Sequence, residues 1–115
     1  HCDTLARCRN RAAGMGDMIV EMRIYTAYVG RLAEFAKLYH DVGMPIQEPI
    51  QGNLLGMYRS EFGPMNQLVL LWGYQDHADR DARRSRLMAA PGWTDFLKAA
   101  APMISSEESR LLVPA

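Results

Sequence analysis

Cysteine is scarce in this 115-residue chain, and its two thiols, Cys2 and Cys8, both precede Met18. The part that carries folding periodicity therefore has no disulfide framework and no thiolate metal site. Net charge is absent as well: 13 basic and 13 acidic side chains sum to +0, which removes any broad attraction to phosphate backbones or anionic membranes. No apolar run approaches the roughly 20 residues needed to cross a bilayer. The expectation is a soluble, cytoplasmic domain with no nucleic-acid partner and no membrane insertion. Chemistry-bearing motifs are equally sparse. His40 and His77 are not spaced as a metal pair, no His/Asp/Glu set has ligand spacing, and no Gly-rich phosphate loop or Ser/Cys nucleophile with a matching base is present. No structural metal, haem or other cofactor is expected, and whether the protein is an enzyme stays open.

What is present suffices for one compact domain, since 49% of the residues are hydrophobic. Residues 1–17 begin with His and carry Arg7, Arg9 and Arg11 among small and polar residues, without the apolar core of a secretory signal. Their arginines leave a mitochondrial presequence as the second reading, behind an upstream remnant, because the amphipathic repeat is not clear and hydroxyls are few. They read as a leader, tag or upstream extension ahead of a single domain over 18–115.

From Met18 the chain alternates with period two, placing Val20, Met22 and Ile24 on one strand face, read as core, and Glu21, Arg23 and Tyr25 on the other. After Gly30, the residues Leu32, Phe35, Tyr39 and Val42 recur at helical spacing until Gly43 and Pro45, where the helix is expected to stop. A looser connection through Pro45, Pro49 and Gly52 then leads to a strand over Leu54–Phe62, a turn at Gly63–Asn66 and a strand over Gln67–Tyr74. Asp76 offers a helix cap with Asp79 in the capping-box position. The small residues Ala78, Ala82, Ser85 and Ala89 predict a helix face that approaches the sheet closely. Pro91-Gly92 breaks this helix, Trp93, Phe96, Leu97 and Ala100 continue an apolar stripe to Pro102, and a last strand is expected over Glu107–Val113. The order β-α-β-β-α-β is that of an α+β, ferredoxin-like fold, with helices on one face of a four-stranded antiparallel sheet. The other sheet face would expose Tyr25 and further apolar residues, which predicts a homodimer packed sheet to sheet around a barrel-like interior.

Several segments taken in order resemble the NIPSNAP family of the dimeric α/β-barrel superfamily: Glu21-Met22-Arg23-Ile24-Tyr25-Thr26, Gly30-x-x-x-x-Phe35, Gly63-Pro64-x-Asn66-Gln67, Leu71-Trp72-x-Tyr74, Arg80 and Arg84, Pro91-x-Trp93, and Leu111-Leu112-Val113-Pro114. The resemblance covers residues 18–115 and implies a ferredoxin-like protomer, a side-by-side dimer and a role that is poorly defined for the family. Animal members are associated with mitochondria and with vesicle or autophagy-related processes, and this short chain looks more like the small bacterial members. Where many members carry His two positions before the Trp, this chain has Leu70, which tilts the expectation from catalyst towards binder.

The candidate ligand-binding residues are Glu21, Arg23, Tyr25, Tyr58, Trp72 and Tyr74. An acid, a guanidinium and a phenol at i, i+2 and i+4 would point into the dimer interior and could orient a polar or anionic organic molecule; a plain Glu21–Arg23 ion pair is the bland alternative. Trp72 and Tyr74 share a face with Leu68 and Leu70 and serve either core packing or a ligand wall. Tyr58 could border the same cavity. Arg80, Arg83, Arg84 and Arg86 form a basic run that neighbouring carboxylates can absorb, with Arg80 and Arg84 one turn apart and able to reach carboxylates near the strand ends. The functional expectation is a homodimer that binds a small organic ligand or partner; the alternative is a cofactor-independent monooxygenase-like enzyme.

Overall fold

The structure, a computed structural model, describes residues 18–115, and the leader reading of residues 1–17 lies outside that range. Strand β1 (Ile19–Ala27) leads into helix α1 (Leu32–Leu38), a π-helical turn (Tyr39–Gly43) and helix α2 (Met44–Gln51). Strands β2 (Leu54–Arg59) and β3 (Gln67–Tyr74) follow, then helices α3 (His77–Met88) and α4 (Trp93–Ala100), a short 3-10 turn (Ala101–Met103) and strand β4 (Ile104–Leu112). All strand pairs are antiparallel in the order β2-β3-β1-β4, the ferredoxin-like arrangement that the element order predicts. Among the described residues, no helix is long and apolar enough to cross a membrane.

The strand signals locate the hairpin and misjudge its ends. Ser60 and Gln67 exchange hydrogen bonds that close a turn running from Ser60 to Asn66. Gly63 and Asn66 occupy left-handed backbone positions there, at φ 81° and 63°, so β2 ends before Phe62. β4 starts three residues earlier than expected, because Pro102 sits inside the 3-10 turn and releases the chain to an extended conformation at Ile104.

The first helical region departs from expectation more deeply. Gly43 and Pro45 do not stop it. Pro45 is the second residue of α2, directly after the π turn, and the helix runs on through Pro49 to Gly52. The π turn adds a residue to the helical repeat, so Val42 swings to solvent while Gly43 is buried against the Phe96 ring. α3 begins as its caps predict, with the Asp76 carboxylate accepting from the Asp79 N–H at 2.7 Å and Asp79 accepting from the Gln75 N–H at 3.0 Å. Its small residues Ala78, Ala82, Ser85 and Ala89 nonetheless face solvent. The face that docks carries Arg80, Arg83, Arg84 and Leu87, because the three arginines reach acceptors on β1 and α2.

The two faces of β1 are the reverse of the expected assignment. Directly opposed residues share a sheet face, so Glu21, Arg23 and Tyr25 line up with Trp72, Leu70 and Leu68 of β3 on the side that the helices cover. Tyr25 is therefore buried rather than exposed. Its ring packs edge-on against Phe35 with centroids 5.6 Å apart, and the aromatic chain continues through Tyr39 to Phe96 and Trp93. Val20, Met22 and Ile24, read as core, lie on the uncovered face beside Val69, Leu71 and Leu112. Period two shows that two faces differ, but not which one receives the helices.

Gly43 supplies a test of this packing. A Cβ there would lie 2.7 Å from Cζ of Phe96, a core ring hemmed in by Tyr39 and Trp93. Gly43→Ala should destabilise the fold by about 1–3 kcal/mol, despite the better helix propensity of alanine, as read from the urea midpoint.

Candidate functional site

Glu21 sits at the centre of the covered sheet face with 0% of its surface exposed. A buried carboxylate is costly unless it is matched, and five donors converge on this one. Arg80 grips it bidentately, Nε to Oε1 and Nη2 to Oε2 at 3.1 Å each. Arg23 Nη1 donates to Oε2 at 3.1 Å, the Ser109 hydroxyl donates to the same oxygen, and the Tyr74 hydroxyl donates to Oε1 at 3.4 Å. Burial alone pushes the carboxyl up; the hydrogen bonds from Arg80 and Ser109 and the charges of Arg23 and Arg80 overcome it and bring the pKa from 4.5 to about 2. Burial and the Glu21 charge together push the Tyr74 hydroxyl up to about 12.

The network runs on into α2. Gln51 Nε2 donates to the Tyr74 oxygen at 2.7 Å, Gln47 Nε2 donates to Gln51 Oε1 at 2.8 Å, and the Tyr39 hydroxyl donates to Gln47 Oε1. Burial raises the Tyr39 hydroxyl well above its ordinary value. Both glutamines are buried, and each accepts and donates within the chain. Arg83 closes the end of α2, donating from Nη1 to the Ile50 and Gln51 carbonyls at 3.2 Å.

Beside this network lies a cavity of about 540 Å3, between β1, β4 and the helices α1, α3 and α4. Phe35, Met88, Trp93, Phe96, Leu97 and Ala100 form its apolar wall. Arg23 and Tyr25 supply the polar floor, Arg84 enters from α3, and Ser105, Ser106 and Glu107 border it from β4. Arg23 Nε donates to the Tyr25 oxygen at 2.9 Å, which holds both side chains in place. Among the described residues, no three His, Cys, Asp or Glu side chains converge as metal ligands would.

The NIPSNAP family model matches residues 20–115, nearly the whole described domain. The chain belongs to the NIPSNAP family. A curated NipSnap homologue from Dictyostelium discoideum is 31% identical over 98 residues, covering 82% of this chain and 41% of that protein. The NIPSNAP domain described here thus spans less than half the length of that relative. The crystal structure of a NIPSNAP family protein from Agrobacterium tumefaciens superposes with a TM-score of 0.82 at 40% identity, covering 85% of this chain and 93% of that one. SnoaB, a cofactor-independent oxygenase from Streptomyces nogalater, superposes with a TM-score of 0.57 at 19% identity over 84% of this chain and 92% of that one, a likeness of fold.

Within this NIPSNAP domain the six sequence candidates divide into three groups. Arg23 and Tyr25 border the cavity. Glu21, Trp72 and Tyr74 are buried on the same sheet face without lining it, and the Trp72 indole N–H has no acceptor among the described residues. Tyr58 stands apart on the uncovered face, 59% exposed, with its ring folded over Gly56. Leu70 is fully buried directly opposite Arg23. The sequence reading missed Phe35, Trp93 and Phe96 as cavity walls and Ser109, Gln47 and Gln51 as network members. The available signal was the i, i+4 pair Gln47 and Gln51, which reads as one polar helix face only once the segment is recognised as helical.

The Glu21 cluster predicts a specific acid response. Its folded pKa lies below the unfolded value, so the ionised carboxylate stabilises the fold fully above pH 4.5 and the contribution fades as the pH falls towards 2. The shift corresponds to about 3 kcal/mol. Glu21→Gln should cost about 3–5 kcal/mol at pH 7 by stranding two arginines, and its gap to the wild type should narrow between pH 5 and 2 in urea titrations.

Proposed function

We propose that this NIPSNAP domain is a homodimeric binding module for a small organic molecule, held in the cavity between the sheet and the helices. The cavity itself carries this reading. Its volume falls within the roughly 300–1,000 Å3 range of small-molecule sites, and its wall is apolar with a few polar groups at one end. The ligand position differs from one enclosed by two facing sheets, because Arg23 and Tyr25 point towards the helices. The uncovered sheet face has a different use. Val20, Met22, Ile24, Val69 and Leu71 form a contiguous apolar surface there, and a second copy packed against it would remove that surface from water.

Binding is favoured over catalysis by the state of Glu21. A carboxylate offers about four lone-pair sites, and five donors already occupy this one. It is held ionised with no free acceptor for a substrate proton, and buried Leu70 adds no acid or base beside Arg23. The fold shared with SnoaB, a cofactor-independent oxygenase, supports an enzyme reading only at the level of architecture.

Two measurements test the proposal. Leu97 lies at the cavity wall and is partly exposed, so Leu97→Trp should narrow the site without unfolding the domain. In a fragment screen by NMR, the wild-type amides of Ser105 and Ser106 should shift and those of the Trp variant should not; the absence of any fragment shifting the wild type would sink the reading. Light scattering should give a dimer for the wild type and half that mass for Leu71→Asp, whose charge would lie unpaired in a sheet-to-sheet interface.

A further inference from the structure

The cavity holds two guanidiniums that the fold only partly uses. Arg23 spends Nε on Tyr25 and Nη1 on Glu21, and its Nη2 has no acceptor among the described residues. Its side chain is only 15% exposed, so those unused donors have little access to bulk water. Arg84 donates Nη1 to the Gln51 amide oxygen at 3.4 Å and forms no ion pair with a described residue. Both arginines line the same cavity.

What the cavity wall leaves unmatched is Arg84. Arg23 and Arg80 share the Glu21 carboxylate, and Arg80 also reaches exposed Asp81. Glu107 on β4 borders the cavity, but among the described residues it forms no ion pair with Arg84. A ligand bearing a single negative charge would supply the missing partner. A neutral occupant would leave half-desolvated guanidinium donors without acceptors, and a cationic one would add like-charge repulsion. The rest of the wall is apolar, with Met88 and Leu97 its exposed side chains and the buried rings of Phe35, Trp93 and Phe96 behind them. An apolar body laid against that wall would remove further apolar surface from water.

Building on the small-molecule reading above, we propose that the ligand is an apolar monocarboxylate. Its carboxylate lies between Arg23 and Arg84, accepting from the free donors of both. Its body lies against Met88 and Leu97. Planar, two-oxygen recognition by guanidinium favours a carboxylate over a more compact monovalent anion.

The experiment compares 2-naphthoate with 2-naphthamide, which has nearly the same shape and no charge, by isothermal titration at low ionic strength. The acid should bind the wild type about tenfold more tightly than the amide, a preference expected from charge-assisted hydrogen bonds. Added salt should reduce that preference. Arg84→Gln should bring acid and amide affinities close to one another, and Arg84→Lys should retain part of the preference. Equal binding of acid and amide by the wild type would overturn the monocarboxylate assignment and leave the binding reading standing. Failure of both probes to bind would also overturn the assignment, while the binding reading is decided separately by the fragment screen. The wild-type comparison stands whether or not the Arg84 variants fold.

Discussion

The buried carboxylate of Glu21 is the constraint around which the domain is organised. It lies on the central strand β1, fully removed from water, and a charge in that position is tolerable only if several donors meet it. Those donors come from separate parts of the chain: Arg23 on β1 itself, Tyr74 on β3, Arg80 on α3 and Ser109 on β4. Satisfying one carboxylate thus fixes the rotation of α3 and brings the C-terminal strand into register. The orientation of α3 is the clearest consequence. A helix whose alanines and serine recur on one side would be expected to pack through them, yet that side faces water because Arg80 and Arg84 must reach inwards.

The same network divides the molecule into regions with different uses. On the covered face, Arg23 belongs both to the Glu21 cluster and to the cavity, so the ion pair that stabilises the fold also holds a guanidinium at the floor of the candidate site. The ion-pair and ligand-pocket roles are compatible in this geometry: Nε and Nη1 serve the structure, while Nη2 has no acceptor among the described residues. The uncovered face carries no buried polar group at its centre: aliphatic side chains are flanked by Tyr58 towards the β2 edge and by the exposed Glu108–Arg110 ion pair on β4.

Much of the architecture was legible in the sequence because its signals are local. The β3 boundaries, the Asp76 cap with its Asp79 partner, and the break between α3 and α4 depend on residues within a few positions of one another. The order of these elements was enough for the ferredoxin-like arrangement, and the family followed from a resemblance carried by short segments such as Glu21–Thr26 and Leu71-Trp72-x-Tyr74, which the NIPSNAP match over residues 20–115 bears out. The reading failed where a local signal was overruled from a distance. Gly43 resembles a helix stop, but the π turn carries the helix through it so that the glycine can sit against Phe96. Pro45 and Pro49 resemble a loop, but the buried pair Gln47 and Gln51 requires helical spacing to reach Tyr39 and Tyr74.

Period-two alternation along β1 determined, without any structure, that Glu21, Arg23 and Tyr25 share one face and Val20, Met22 and Ile24 the other. Which face the helices would cover was decided only by the tertiary structure. Hydrophobicity argued for the aliphatic side, and it lost because a buried Glu21 supplied with five donors, together with Tyr25 packed into an aromatic chain, makes the mixed face the better partner for the helices. The candidate site followed from that outcome: residues expected between two protomers stand inside one, since matched polar groups can be buried as readily as apolar ones, and the alternation of a strand does not record which of its faces is matched.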